Sequence, residues 1–267
     1  MQATATTLDN APVNSRNKVI VASLIGTAIE FFDFYIYATA AVIVFPHIFF
    51  PQGDPAAATL QSLATFAIAF IARPIGSAVF GHFGDRIGRK ATLVASLLTM
   101  GISTVVIGLL PGYATIGIMA PILLALARFG QGLGLGGEWG GAALLAVESA
   151  PKNKKAFYSS GVQVGYGVGL LLSTGLVSLI SSCTTDEQFL SWGWRLPFLF
   201  SVVLVLAALW IRNGMAESAE FEQQQREQQL QPKKKRLPVV EALFRHPGAF
   251  LMIIGLRLCE LLTMYIV

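Results

Sequence analysis

Charge is scarce in this sequence. Asp, Glu, Lys and Arg together make up 13% of its residues, where a soluble domain carries about 25%, so the composition excludes an ordinary water-exposed globular fold. Cysteine is nearly absent as well. Cys183 and Cys259 lie in different segments without metal-ligand spacing, which excludes a disulfide framework and a cysteine-bound metal. The three histidines, His47, His82 and His246, read as loop positions and offer no proton relay. A nucleophile–base constellation, a metal motif and a phosphate-binding loop are all missing, which argues against a membrane enzyme and against a bound cofactor. The net charge of +4 needs no nucleic acid to explain it.

Apolar sequence is abundant, at 54% of the chain. It falls into seven stretches, at residues 19–45, 60–82, 91–111, 116–147, 157–181, 193–212 and 249–267. About 20 apolar residues suffice to cross the hydrocarbon core as a helix, so the pattern predicts an all-α membrane protein with seven transmembrane helices. Glycines crowd the fourth stretch at 130, 132, 134, 136 and 137, where small residues let helices approach closely in lipid. The first stretch follows a polar tail and does not read as a cleavable signal. The predicted organisation is a tail over 1–18, a six-helix bundle over 19–212, a cytoplasmic loop over 213–248 and a seventh helix over 249–267.

Basic residues set the orientation. With the N-terminus inside, cytoplasmic segments hold Lys18, Arg86, Arg89, Lys90, Lys152, Lys154, Lys155, Arg212 and the run at 233–236, while the outer loops hold only Arg195. That bias predicts a cytoplasmic N-terminus. The 233–236 run suits acidic lipid headgroups, or it stays solvated and enforces topology. Trp192 and Trp194 read as interfacial anchors.

The stretch AIEFFDFYIYATA, residues 28–40, places Glu30 and Asp33 inside the first predicted span. A carboxylate at that depth costs at least ~2.5–3.5 kcal/mol. Counting from the inner edge at 1.5 Å per residue, Glu30 lies ~18 Å deep and Arg73 ~12 Å deep, and Glu138 falls near the middle of its span. Intramembrane charges face a bundle interior or an aqueous cavity and pair there. Glu30, Asp33 and Glu138 are therefore predicted to line a polar cavity, with Arg73 and Arg128 opposite.

Between the second and third spans the chain reads GHFGDRIGRK, residues 81–90. Gly81, Gly84 and Gly88 permit a tight turn, Asp85 suits a helix start, and Arg86, Arg89 and Lys90 anchor the turn. This pattern resembles the signature loop of the major facilitator superfamily, with Phe83 in place of the usual branched aliphatic residue. RFGQGLGLGGEWGGA at 128–142 supplies Arg128, Gln131 and Gly132, which match the superfamily's fourth-helix motif. VESAP places Glu148 at the end of that helix. The resemblance implies a gating latch formed by Gly81, Asp85, Arg86, Gly88, Arg89 and Glu148.

EFFDF at 30–34, residues 72–90, GLGGEWGGA at 134–142 and WGWRLPF at 192–198 together look like the metabolite:H+ symporter branch. That branch contains carriers of alpha-ketoglutarate, citrate, shikimate and proline or betaine. The fifth span has GYGVG at 165–169 instead of the antiporter Gly-Pro, which favours symport or uniport. The resemblance implies a proton-coupled carrier of a small organic acid, or of a zwitterionic osmolyte, in a bacterial inner membrane, working by alternating access. Its partners are the metabolite, protons and membrane lipids. Proton coupling is expected of Asp33 first, then Glu30 and Glu138, because burial and a nearby arginine pull a carboxyl in opposite directions. Substrate contacts are expected of Arg73, Arg128 and Arg257, whose guanidinium groups bind carboxylates bidentately, and of Tyr37.

Superfamily carriers have twelve spans. The implied fold is thus the six-helix N-terminal bundle plus one further helix, an incomplete twelve-helix fold. The expectation is a piece of a longer carrier or a truncated product that does not transport alone.

Overall fold

The computed structural model describes residues 16–51, 54–148, 150, 154–214 and 247–266. The chain divides into two compact units, Met1–Gln223 and Gln224–Val267. The predicted tail and most of the predicted cytoplasmic loop, including His246 and the 233–236 run, lie outside the described residues.

The first unit is helical. Long helices α1 (Arg16–Ile43), α3 (Pro55–Ile87), α4 (Arg89–Leu109), α6 (Met119–Glu148), α7 (Lys155–Cys183) and α9 (Arg195–Asn213) are joined by the short helices α2 (Phe45–Ile48), α5 (Tyr113–Ile116) and α8 (Asp186–Gln188) and a π-helical turn at Phe189–Gly193. Six helices are long and apolar enough to cross a membrane. They coincide with the first six predicted spans, with ends displaced by a few residues. The second unit contributes α10 (Pro247–Ile266), a 20-residue apolar helix over the seventh predicted span.

Local chemistry sets the helix ends. Asp54 accepts hydrogen bonds from the backbone N–H groups of Ala56 and Ala57 at 3.0 and 3.2 Å, and Pro55 opens α3, a combination that satisfies orphan donors and pre-sets φ. At the other end α3 continues through residues 81–87, so Gly81 and Gly84 are helical and the tight turn predicted across all three glycines is confined to Gly88. Gly88 has φ +120°, a region that a side chain would strain. Asp85 lies in the last turn of α3, just ahead of the Gly88 turn. Arg195 Nη1 donates to the carbonyls of Gly108 and Leu110 at 2.9 and 2.8 Å, and Lys90 Nζ donates to the Asn213 carbonyl at 3.0 Å. Both cap orphan carbonyls at helix C-termini.

Small residues bring the helices together. A Cβ on Gly132 would stand 2.6 Å from the Ala69 carbonyl oxygen, and Gly136 touches the Arg73 backbone as closely, so α6 lies flush on α3. Gly165 and Gly169 press in the same way on Leu24 and Ala28, seating α7 on α1. The GYGVG stretch is thus a packing seam. α1 is the most enclosed of the six long helices, while α3 and α7 are among the least.

Two aromatic expectations change. Trp194 is buried, packed on Phe45, Phe49 and Phe198, because the π-helical turn directs it into the end of the bundle; only Trp192 stays exposed as an anchor would. His82 sits within α3 rather than a loop.

Candidate functional site: a polar ladder inside the bundle

On α1, Gly26, Glu30, Asp33 and Tyr37 are spaced four, three and four residues apart, so they form one stripe. Each except Gly26 carries a polar group into the bundle, and each meets a different partner.

At the level of Gly26, Glu138 of α6 forms a buried ion pair with Arg212 of α9. Arg212 also donates to the Leu93 carbonyl at 2.8 Å, and Ser96 donates to Glu138 at 3.3 Å. Glu138 was expected at the depth of Glu30 and Arg73, with an arginine of α3 or α6 as its partner. It lies level with Gly26, a turn nearer the start of α1, where the Arg212 side chain reaches it from α9 past the Leu93 carbonyl of α4. Arg212, read from sequence as a topology signal, is only 4% exposed. No sequence signal isolates it, since a basic residue at a helix end fits the positive-inside pattern equally well.

One turn further along α1, Glu30 pairs with Arg73 of α3 at 2.5 Å. Glu30 is buried, whereas the Arg73 side chain is 38% exposed. Glu30 and Arg73 are expected at similar depth, with Arg73 or Arg128 as the partner of the α1 carboxylates, and the structure joins Glu30 to Arg73.

The third level is a directed hydrogen-bond chain. Arg128 Nη1 donates to Gln131 Oε1, Gln131 Nε2 donates to Thr104 Oγ1 at 2.8 Å, and Thr104 donates to Asp33 Oδ2 at 2.7 Å. An arginine only donates and an ionised carboxylate only accepts, so the polarity of the chain is fixed from Arg128 to Asp33. Arg128, Gln131, Thr104 and Asp33 are all buried. The Arg128 guanidinium lies 3.8 Å from the Tyr37 ring centroid and 4.8 Å from that of Phe66, and Tyr37 shares a 2.7 Å hydrogen bond with Thr65.

This level is incompletely satisfied. Asp33 Oδ1, Arg128 Nε and Arg128 Nη2 are buried without a hydrogen-bond partner among the described residues, as is Glu30 Oε2 one level away. Burying such groups unpaired is costly. Nε and Nη2 form the edge of the guanidinium that grips a carboxylate with two parallel N–H bonds. Thr104 and Gln131, which relay between Asp33 and Arg128, were not singled out for this role from sequence; an uncharged hydroxyl or amide in an apolar run carries little signal.

Arg86 is exposed at the end of α3, beside the Gly88 turn. The side chains of Asp85, Arg89, Glu148 and Arg257 lie outside the described residues.

The model of the family described as sugar (and other) transporter matches residues 18–236. The chain belongs to that family. It is also 67% identical over 99% of its length to the inner membrane metabolite transport protein YhjE of Escherichia coli, and 66% identical over 94% to the shikimate transporter of the same organism. It spans 61% and 57% of those two relatives. Among solved structures, the xylose transporter XylE from E. coli superposes with a TM-score of 0.70 at 18% identity, over 80% of this chain and 51% of that one. The fold is therefore that of the major facilitator superfamily, and the polar ladder is the interior of a transporter-family bundle.

Proposed function

We propose that this sequence forms the first bundle of a proton-coupled symporter for a small organic acid in the inner membrane, with its N-terminus in the cytoplasm. The observation that carries this reading is the relation of Asp33 to Arg128. They are opposite charges, both buried, joined through Gln131 and Thr104 and not by a direct ion pair, and each keeps polar atoms without a partner.

The charge balance supports the coupling. Glu30, Asp33 and Glu138 face Arg73, Arg128 and Arg212, so the ladder is neutral when all six are ionised. Glu30 and Glu138 are held by their own arginines. Protonation of Asp33 would leave one uncompensated positive charge, which the carboxylate of a substrate would cancel at the Nε–Nη2 edge of Arg128. Low-dielectric surroundings make such an imbalance expensive, so proton and monoanion load together. Thr104 can accommodate the change: a protonated Asp33 donates to it, and its own hydrogen turns to the Met100 carbonyl 3.0 Å away. Tyr37, stacked on Arg128, would position the guanidinium. Arg73 would be a second contact for the anion, and Arg257 a contact from α10. Gly81, Asp85, Arg86, Gly88, Arg89 and Glu148 would form the latch that alternates with the open state.

The test is uptake into proteoliposomes by a chimera in which the second half of the E. coli relative YhjE completes this chain. An inward proton gradient is expected to drive accumulation of an organic acid such as shikimate. Asp33→Asn is expected to abolish that accumulation while preserving exchange of labelled for unlabelled substrate. Accumulation that survives either Asp33→Asn or collapse of the gradient would refute the reading.

A further inference from the structure

The two ion pairs of the ladder are built differently. Glu138 and Arg212 meet fork to fork: both carboxylate oxygens accept from the guanidinium, Ser96 adds a third donor at Oε2, and Arg212 donates onward to the Leu93 carbonyl. Both residues are buried. Glu30 and Arg73 share one contact instead, from Arg73 Nη2 to Glu30 Oε1. Glu30 Oε2 is buried without a partner among the described residues, and Arg73 is the partly exposed cation of the ladder.

That difference decides which pair can open. Separating Glu138 from Arg212 strands two enclosed charges, which is strongly unfavourable. A cation at the depth of Arg73 faces an aqueous cavity, not lipid, so Arg73 keeps its hydration when it leaves Glu30. Glu30 has no such recourse. A buried carboxylate that loses its counter-charge neutralises by taking up a proton. The charged groups acting on Glu30 are Arg73 of α3 and Glu138 of α6, and Glu138 is held by Arg212 of α9. Asp33 lies one turn along α1, α4 brings the hydroxyls of Ser96 and Thr104 to the ladder, and α7 meets this part of α1 through Gly165 and Gly169. Arg73 is thus the cation that holds Glu30 ionised.

We infer that Glu30 and Arg73 form a second proton–anion exchange point, at which Glu30 binds a proton whenever Arg73 is given over to a carboxylate, while Glu138–Arg212 stays a fixed fastening. This rests on the organic-acid reading above, in which Asp33 and Arg128 are the first such point. The step balances. A proton adds to a Glu30 oxygen, the Arg73 hydrogen bond to Oε1 is exchanged for one to the incoming carboxylate, and the ladder stays neutral. The stoichiometry is then one proton for each carboxylate bound, with a limit of two. Glu30 and Asp33 are three residues apart, about 4.5 Å along α1, so one small molecule with two carboxylates can engage both points.

The experiment counts protons. The full chain in lipid nanodiscs is titrated calorimetrically with shikimate (one carboxylate) and succinate (two), each in two buffers of different ionisation enthalpy, and infrared difference spectra record the C=O bands of protonated carboxyl groups. Succinate is expected to bind with two protons and shikimate with one. Glu30→Gln is expected to lower the succinate count to one, leave the shikimate count at one, and remove one of the two carboxyl bands that succinate induces. Arg73→Gln should show the Glu30 carboxyl band before any anion is added. A succinate count of one in the parent, or of two in Glu30→Gln, would overturn the second exchange point and leave the organic-acid reading standing. Binding of both anions without proton uptake would overturn both. If neither anion binds, the ligand-free spectrum of Arg73→Gln decides: a carboxyl band that adding Glu30→Gln removes supports the inference, and its absence overturns it.

Discussion

Arg212 closes on Glu138 in the space left by the missing side chain of Gly26. A Cβ at position 26 would stand 2.5 Å from Glu138 Oε1 and 2.7 Å from Arg212 Nη2. Three helices are tied at this point, α1 by its absent side chain and α6 and α9 by their charges. Removing one partner of a buried ion pair strands the other charge and costs about 3–5 kcal/mol. Arg212→Leu is therefore expected to lower the thermal unfolding midpoint in detergent sharply, and Gly26→Ala to do so by less, about 1–3 kcal/mol, through overpacking. The double variant Glu138→Leu/Arg212→Leu should recover most of the loss. Parent-like unfolding of Arg212→Leu would mean that the pair contributes nothing.

Gly81 and Gly88 look alike in the signature loop yet occupy different environments. Nothing lies within 4 Å of a Cβ built on Gly81, which is helical, whereas Gly88 holds φ +120°. Gly81→Ala is expected to leave the unfolding midpoint unchanged or raise it by the equivalent of up to about 1 kcal/mol. Gly88→Ala should lower it by the equivalent of about 1–3 kcal/mol. Equal effects at the two positions would contradict the turn geometry.

The helices and the family were legible because hydropathy and glycine spacing act locally. So was the comparable depth of Glu30 and Arg73, since both charges stand alone in apolar runs, although the ruler left Arg73 and Arg128 equally open as the partner. Arg212 and Trp194 were misread for one shared reason. Each sits at a helix end, where an exposed and a buried role have the same composition, and only the assembled bundle decides between them: Arg212 meets Glu138 and the Leu93 carbonyl, and Trp194 packs on Phe45 and Phe49. Thr104 and Gln131 stayed hidden because their role is to connect two charges from different helices, a relation that appears once α1, α4 and α6 are assembled.

Thr104 is the joint of the chain from Arg128 to Asp33, accepting from Gln131 and donating to the carboxylate. Thr104→Val keeps the shape, removes the hydroxyl, and leaves Gln131 Nε2 and Asp33 Oδ2 without this partner, a penalty of about 1–3 kcal/mol for each buried group left unsatisfied. In the chimera, proton-driven uptake should fall at least about ten-fold and its pH profile should shift, while Thr104→Ser restores both. An unchanged pH profile in Thr104→Val would remove the relay from the coupling mechanism.

Membrane orientation can be read from a native thiol. Cys183 is exposed at the last position of α7, four spans of alternating direction beyond α1. If the N-terminus is cytoplasmic, as the distribution of Lys and Arg predicts, α7 runs outward and Cys183 emerges on the outer face. In a Cys259→Ser background, a membrane-impermeant maleimide added to intact spheroplasts should label the protein fully, and Cys183→Ser should abolish labelling. The polar ladder then acquires a direction: Glu138–Arg212 lies nearest the cytoplasm and Asp33–Arg128 deeper toward the outside, so a proton entering from outside meets Asp33 before either ion pair. Labelling that requires the membrane to be permeabilised would reverse the orientation, and with it the side from which Asp33 is loaded.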